Sequence, residues 1–155
     1  MTVAEKLVAL LKAQGLTCAT AESCTGGGVG SAITAVAGSS AVFAGGVISY
    51  ANEVKRDVLG VSDHTLQTVG AVSPETAAQM AEGARKLLKV DLAVSLTGIA
   101  GPDGGSEEKP VGLVWFGLAT KDGVRTEKAI FRGDRAQVRA QAVIHALGML
   151  TIAAT

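Results

Sequence analysis

The chain has no excess of charge of either sign. Lys plus Arg and Asp plus Glu each number 14, and no long run of like charge occurs. A groove that grips polynucleotides needs a basic face to neutralise phosphates, so this balance argues against a nucleic-acid partner. Aromatic residues are only 3 % of the chain, which leaves few platforms for stacking unpaired bases. His64 and His145 are the only histidines, and there is no CxxC or HxxxH spacing, so no metal site is expected. Cys18 and Cys24 are expected as free thiols in a reducing compartment rather than as a disulfide. No stretch approaches 18 uninterrupted apolar residues, and the apolar run Leu7 to Leu11 is too short for a secretory leader. No membrane association is expected, and the cytoplasm is the default location.

What the chain does have is apolar content, at 48 % of its 155 residues. That length suits one domain spanning residues 1–155, burying roughly two-thirds of the surface its unfolded form exposes. Thr2 and Glu5 have capping-box spacing, and Val3, Leu7, Leu10 and Leu11 recur at helical intervals up to Gly15. LTCATAES then reads as a strand running into the glycine turn and helix of TGGGVGSAITAVAG. FAGGVISY reads as a buried strand, with Asn52 as the cap of a short helix ending at Gly60. Ser73 and Pro74 open a long helix reaching Leu88. DLAVSLTG is a further strand, followed by a loop with Gly98, Gly101, Gly104 and Gly105. GLVWFGLAT and VRTEKAIFR flank Asp122-Gly123 as a hairpin, and Asp134 caps a last helix with Val138, Ala142, Ile144, Leu147 and Leu150 on its apolar positions. The alternation predicts an α/β fold: a three-layer α/β/α sandwich around one mixed, mostly parallel sheet.

A strand that ends in Glu22-Ser23-Cys24-Thr25 and meets three glycines places a hydroxyl beside unpartnered amides at a helix start. Such a place stabilises a bound phosphate or a developing oxyanion. It is equally compatible with Ser23 or Thr25 acting only as a helix cap and the glycines only as close-packing residues. Neighbours on an extended segment face opposite ways, which makes Ser23 the candidate nucleophile and Cys24 a buried thiol. Neither histidine lies near a turn signal, so Lys55 is the candidate base, with Arg56 and the first helical turn both disfavouring its ammonium. A free lysine is deprotonated about once in 2,500 molecules at pH 7, so a working base needs its pKa lowered by about 3, or about 4 kcal/mol, mostly through burial. Otherwise Lys55 is a solvated surface charge. Tyr50 ends a strand just before that helix, and its phenol is expected near Lys55 unless it is a half-buried core residue. Thr97 and the loop after it follow another strand end, where open α/β sheets bind ligands. Arg135 and Arg139, four apart, face a phosphate or solvent.

TAESCTGG, AGSSAVFAGGVISYANEVKRDVLGV, GAVSPETA and LTGIAGPDGG, in this order, closely resemble the CinA C-terminal domain family over nearly the whole chain. Enzymatic members of that family are nicotinamide-nucleotide amidases, converting nicotinamide mononucleotide and water to nicotinate mononucleotide and ammonia in pyridine nucleotide salvage. The resemblance implies the same reaction here, by a serine mechanism with no metal and no cofactor, on a small nucleotide, in a homo-oligomer. It implies Ser23 as nucleophile, Lys55 and Tyr50 as the groups that activate it, and backbone amides after Ser23 as the oxyanion site. Thr97, Gly98 and the loop that follows, with Gly101, are implied as substrate contacts, and Thr25, Gly26 and Gly27 of the glycine turn and Arg135 are expected as further ones. The stand-alone form, without the extra N-terminal domain of longer members, is expected, and Ala37 stands where the family usually has proline. The competing expectation is a non-catalytic nucleotide-binding or competence-related interaction domain, which has no need of Ser23, Tyr50 and Lys55 together.

Overall fold

The structure, a computed structural model, describes all 155 residues. Its elements follow in the order α1 (Val3–Gln14), β1 (Cys18–Glu22), α2 (Gly28–Thr34), a 3-10 turn (Ser39–Ala41), β2 (Phe43–Ile48), α3 (Asn52–Asp57) and α4 (Asp63–Thr68). They continue with α5 (Pro74–Leu88), β3 (Leu92–Gly98), β4 (Leu113–Thr120), β5 (Gly123–Ile130) and α6 (Arg135–Ala153). The long helices start where their caps dictate. The side chains of Thr2, Ser73 and Asp134 each accept the amide three residues on, and only Asp134 with Gln137 completes a reciprocal capping box.

All five strands share one sheet in the order β2-β1-β3-β4-β5. The β1 strand pairs in parallel with β2 and β3, whereas β3 with β4 and β4 with β5 are antiparallel pairs. Four strands therefore run one way and β4 alone runs against them, so the sheet is mixed and mostly parallel in direction. Against one face lies α5, which meets all five strands. On the other lie α1, α2 and α6, whose Leu7, Leu11, Ile33 and Leu147 are fully buried with Phe116 and Leu96 of the sheet. Each such side chain contributes about 1.5–3 kcal/mol through area removed from water. A smaller core beneath α5 gathers Ala19, Ala21, Met80, Ala84 and Ala93 with Leu59 and Val61.

Four local expectations are corrected. FAGGVISY forms β2 at the sheet edge, alternately half-buried and exposed, because only one side of it finds a neighbouring strand. The cap of α3 is Ala51, and Asn52 is already helical. The hairpin loop is Lys121-Asp122, with Gly123 already paired to Thr120 at the start of β5. Ile144, expected in the core, is 56 % exposed on α6. The α4 helix was not expected, although Ser62 caps it by accepting the Thr65 amide.

Candidate active site

The parallel strands β1, β2 and β3 end together, and the candidate residues gather beyond those ends. Ser23 directly follows β1, its amide donating to Leu96 O at 3.1 Å and so holding it against β3. Alternation along β1 sends Ala19 and Ala21 to the core under α5, and Cys18 and Cys24 to the core under α1, α2 and α6. Burial pushes the Cys24 thiol up to about 11, so it is a protonated, unreactive group at neutral pH.

Lys55, on α3, is only 1 % exposed, and no carboxylate forms an ion pair with it. Its Nζ donates to Ser49 O at 2.7 Å and to Tyr50 O at 3.0 Å, and stands 3.2 Å from Ser23 Oγ. Burial lowers its pKa from the ordinary 10.5. As a neutral amine it has two N–H donors, which the two carbonyls occupy, and one lone pair, which the remaining direction turns toward the Ser23 hydroxyl. Arg56 contributes nothing to this, contrary to expectation. Its exposed guanidinium lies against Asp57 and Asp63.

Two further residues hold this arrangement together. Ser49, wholly buried, donates through both its amide (2.7 Å) and its hydroxyl (3.3 Å) to Glu22 O, pinning the end of β2 to the end of β1 and aiming its own carbonyl at Lys55. The buried Glu22 carboxylate accepts from Thr25 Oγ1 (2.6 Å), Val29 N (2.9 Å) and Gly30 N (3.0 Å). The first amides of α2 are therefore taken by Glu22, and that helix start is not free for a phosphate. An acid at a strand end, seven and eight residues before the amides it caps, was the available sequence signal. Glu22→Gln sets an NH2 group against one of these donors, and an expected loss of about 2 kcal/mol corresponds to about 4–8 °C in melting temperature. Thermal denaturation followed by circular dichroism checks it.

An open cleft of about 210 Å³ is lined by Ser23, Tyr50, Lys55, Thr97, Gly98 and Arg135, together with Asn52, Cys24 and three small apolar residues. Thr97 is fixed by donating its hydroxyl to Ala71 O at 2.8 Å, and Arg135 by donating to Gly101 O at 2.7 Å. The remaining expected contacts are not on the cleft wall. The Thr25 hydroxyl is spent on Glu22, Gly101 offers only its carbonyl to Arg135, and Gly26 and Gly27 shape the turn with φ of 59° and 102°. Tyr50 reaches Lys55 through its main-chain carbonyl, while its side chain is 64 % exposed. Tyr50→Phe keeps that carbonyl, so the midpoint of the pH–rate profile should not move. A shifted midpoint would show that the phenol itself acts on Lys55.

A larger cavity of about 700 Å³ lies between α1, α2 and α6, lined by apolar residues such as Val8, Val36 and Ile144. It shares no residue with the Ser23 cleft and holds no catalytic constellation, so volume is no guide to the chemistry here. No cluster of three or more His, Cys, Asp or Glu side chains is placed to hold a metal ion.

The family model of the CinA C-terminal domain matches residues 1–153. The chain belongs to the CinA family. Among its relatives, the nicotinamide-nucleotide amidohydrolase PncC of Escherichia coli is 52 % identical over 151 residues, covering 97 % of this chain and 92 % of that protein. A protein of Halothermothrix orenii named for competence-damage induction is 60 % identical over 127 residues, 81 % of this chain. The chain spans only 31–35 % of the length of relatives of that longer kind. Among solved CinA structures, the competence/damage inducible protein CihA of Agrobacterium tumefaciens superimposes with a TM-score of 0.94 at 46 % identity, covering 98 % of this chain and 93 % of that one. A competence or damage-inducible protein from Enterobacter asburiae gives 0.94 at 34 % identity, covering 100 % and 99 %. The three-layer arrangement around Ser23 is thus the fold of the family.

Proposed function

We propose that this protein hydrolyses the carboxamide of nicotinamide mononucleotide, with Ser23 as nucleophile and Lys55 as its base. One observation carries the reading: a buried lysine with no acidic partner, two of its donors fixed on carbonyls, faces a serine hydroxyl in an open cleft. Burial lowers the pKa of such a lysine and so favours the neutral amine that can act as a base, and a non-catalytic nucleotide binder gains nothing from burying it. The 52 % identity to PncC over nearly both chains supports the choice of substrate.

The Ser23 Oγ–carbon bond forms as its proton passes to Lys55 Nζ, giving a tetrahedral oxyanion. The carbon–nitrogen bond then breaks, and the departing nitrogen takes the proton from Lys55 and leaves as ammonia. Water, giving a proton to Lys55, attacks the acyl-enzyme; the ester bond to Ser23 then breaks as Lys55 returns that proton to Ser23 Oγ, and nicotinate mononucleotide is released. The amides of Cys24 and Thr25 donate to no protein oxygen and are the donors available to the oxyanion. With the start of α2 closed by Glu22, the substrate phosphate falls to Arg135, whose guanidinium has no carboxylate partner and lines the cleft. Thr97 and Gly98 form the wall along which the pyridine ring lies.

The test is ammonia release from purified protein given nicotinamide mononucleotide under chelator, with free nicotinamide and Ser23→Ala as controls. Release from the nucleotide alone, lost in the variant, supports the reading. Binding of the nucleotide without release replaces it with a regulatory one. We further infer a homo-oligomer acting in the cytoplasm, in keeping with the absence of any helix long and apolar enough to cross a membrane. Light scattering on the purified chain reads the assembly.

A further inference from the structure

Arg139 projects from α6 onto the turn after Ser23, far from it in sequence. Its Nε donates to Cys24 O at 3.1 Å and its Nη2 to Thr25 O at 3.2 Å, and no carboxylate shares the guanidinium. These two carbonyls belong to particular peptide units. Cys24 O is the other end of the unit whose N–H is that of Thr25. Thr25 O is the other end of the unit whose N–H is that of Gly26, and that N–H donates to Ser23 O at 3.1 Å. Ser23 O in turn is the other end of the unit whose N–H is that of Cys24. The two routes from the Arg139 cation therefore finish on the amides of Thr25 and Cys24, which, like that of Gly27 further along the turn, donate to no protein oxygen and are the two nearest Ser23 in the chain.

In a planar trans peptide the carbonyl and the N–H point in opposite directions, so a clamp on the oxygen also fixes where the N–H aims. A cation on the oxygen draws electron density through the amide and strengthens the N–H as a donor, and chained hydrogen bonds add to this by about 10–30 % each. We propose that Arg139 is a positioning residue for the oxyanion, orienting and polarising the Cys24 and Thr25 amides from behind without touching the substrate. The role rests on Ser23 being the nucleophile, as proposed above. Because the guanidinium is partly in water, its contribution is smaller than that of an oxyanion donor itself. Glu22 supports the same turn from its other side through Thr25 Oγ1, so the nucleophile's turn is held between a carboxylate and a guanidinium that do not pair with each other.

The test uses a fluorophosphonate, which needs no knowledge of the natural substrate. Ser23 Oγ forms the bond to phosphorus, the phosphorus–fluorine bond breaks, fluoride leaves, and the serine proton passes to Lys55. Negative charge develops on the phosphoryl oxygen at the oxyanion site. The rate of Ser23 labelling is read by intact mass for the native protein, Arg139→Lys and Arg139→Met, with melting curves for each. Arg139→Met is expected to slow labelling about tenfold, below the 10²–10³ of a direct donor, and Arg139→Lys, which spans only one carbonyl, to fall between. The midpoint of the pH dependence, set by Lys55, should stay in place, and the dissociation constant of nicotinamide mononucleotide in a Ser23→Ala background should be unchanged by the Arg139 substitutions. A loosened site would move both. Labelling at the native rate in a folded Arg139→Met variant overturns the proposal, as does a moved midpoint or weakened nucleotide binding accompanying the loss. If Arg139→Met does not fold, native-rate labelling of folded Arg139→Lys overturns it instead. Should the native protein release no ammonia and resist labelling, the nucleophile assignment fails and this inference fails with it. Normal labelling lost in the variants, without ammonia release, leaves the positioning role standing and removes only the substrate.

Discussion

Ser23→Ala should yield a folded protein whose ammonia release from nicotinamide mononucleotide is lower by at least about 10³-fold, the scale on which removal of a nucleophile acts. The fold should survive because the Ser23 side chain makes one hydrogen bond, a 3.2 Å contact with Lys55 Nζ, while its structural bonds are main-chain ones that alanine keeps. The amide to Leu96 O and the carbonyl from Gly26 N hold the turn in either variant. A change in stability of about 1 kcal/mol or less is expected from the lost hydroxyl. Nicotinamide mononucleotide should still bind, since the phosphate and ring contacts assigned to Arg135, Thr97 and Gly98 are untouched. Ammonia assay, melting curve and calorimetric titration on one preparation check all three. Turnover near the native rate would remove Ser23 from the mechanism. Cys24 offers no substitute nucleophile, because burial raises its pKa to about 11 and keeps the thiol protonated.

The parts of this molecule legible in the sequence are those whose causes are local. Thr2, Ser73 with Pro74, and Asp134 announce α1, α5 and α6 because a helix cap is set by residues three apart. The α/β layering follows from the alternation of such helices with short apolar runs. The β2 strand misled because apolar residues at an edge and in a sheet centre look alike in sequence, and which strand lies outermost is decided by pairing with β1. Within the cleft, Ser23 and Lys55 stand out from sequence because side chains are what a sequence displays. Ser49 O, Tyr50 O, and the carbonyls of Cys24 and Thr25 do not. Every residue carries a carbonyl, and only the tertiary fold aims these four at Lys55 or Arg139. For the same reason Tyr50 drew attention through its phenol although the structure engages its backbone. The start of α2 looked like an anion site because its amides are free in any isolated helix, and Glu22 closes it only once β1 and α2 are folded together.

Lys55→Met should slow turnover at least about 100-fold, the lower scale for loss of a general base. Lys55→Arg should be equally slow, because a guanidinium keeps its proton and cannot accept one from Ser23. That pair of variants separates a base from a cation that merely orients the serine. Native kcat/KM should rise with pH through the lowered Lys55 pKa, at a midpoint below 10.5, and the residual activity of Lys55→Met should lack that limb. Stability carries the same signature. Unfolded Lys55 takes up its proton as pH falls through about 10.5, whereas folded Lys55 stays neutral until its lower pKa is reached. Between those two values the unfolded state binds more protons, so native stability falls as the pH is lowered and levels off below the folded pKa. Methionine has no proton to gain. The melting temperature of Lys55→Met relative to the native protein should therefore move in the variant's favour from pH 10.5 downward, from whatever offset the unbonded Ser49 and Tyr50 carbonyls impose. A constant difference across that range would mean that Lys55 is charged in the folded protein, and its place as the base would have to go to another group.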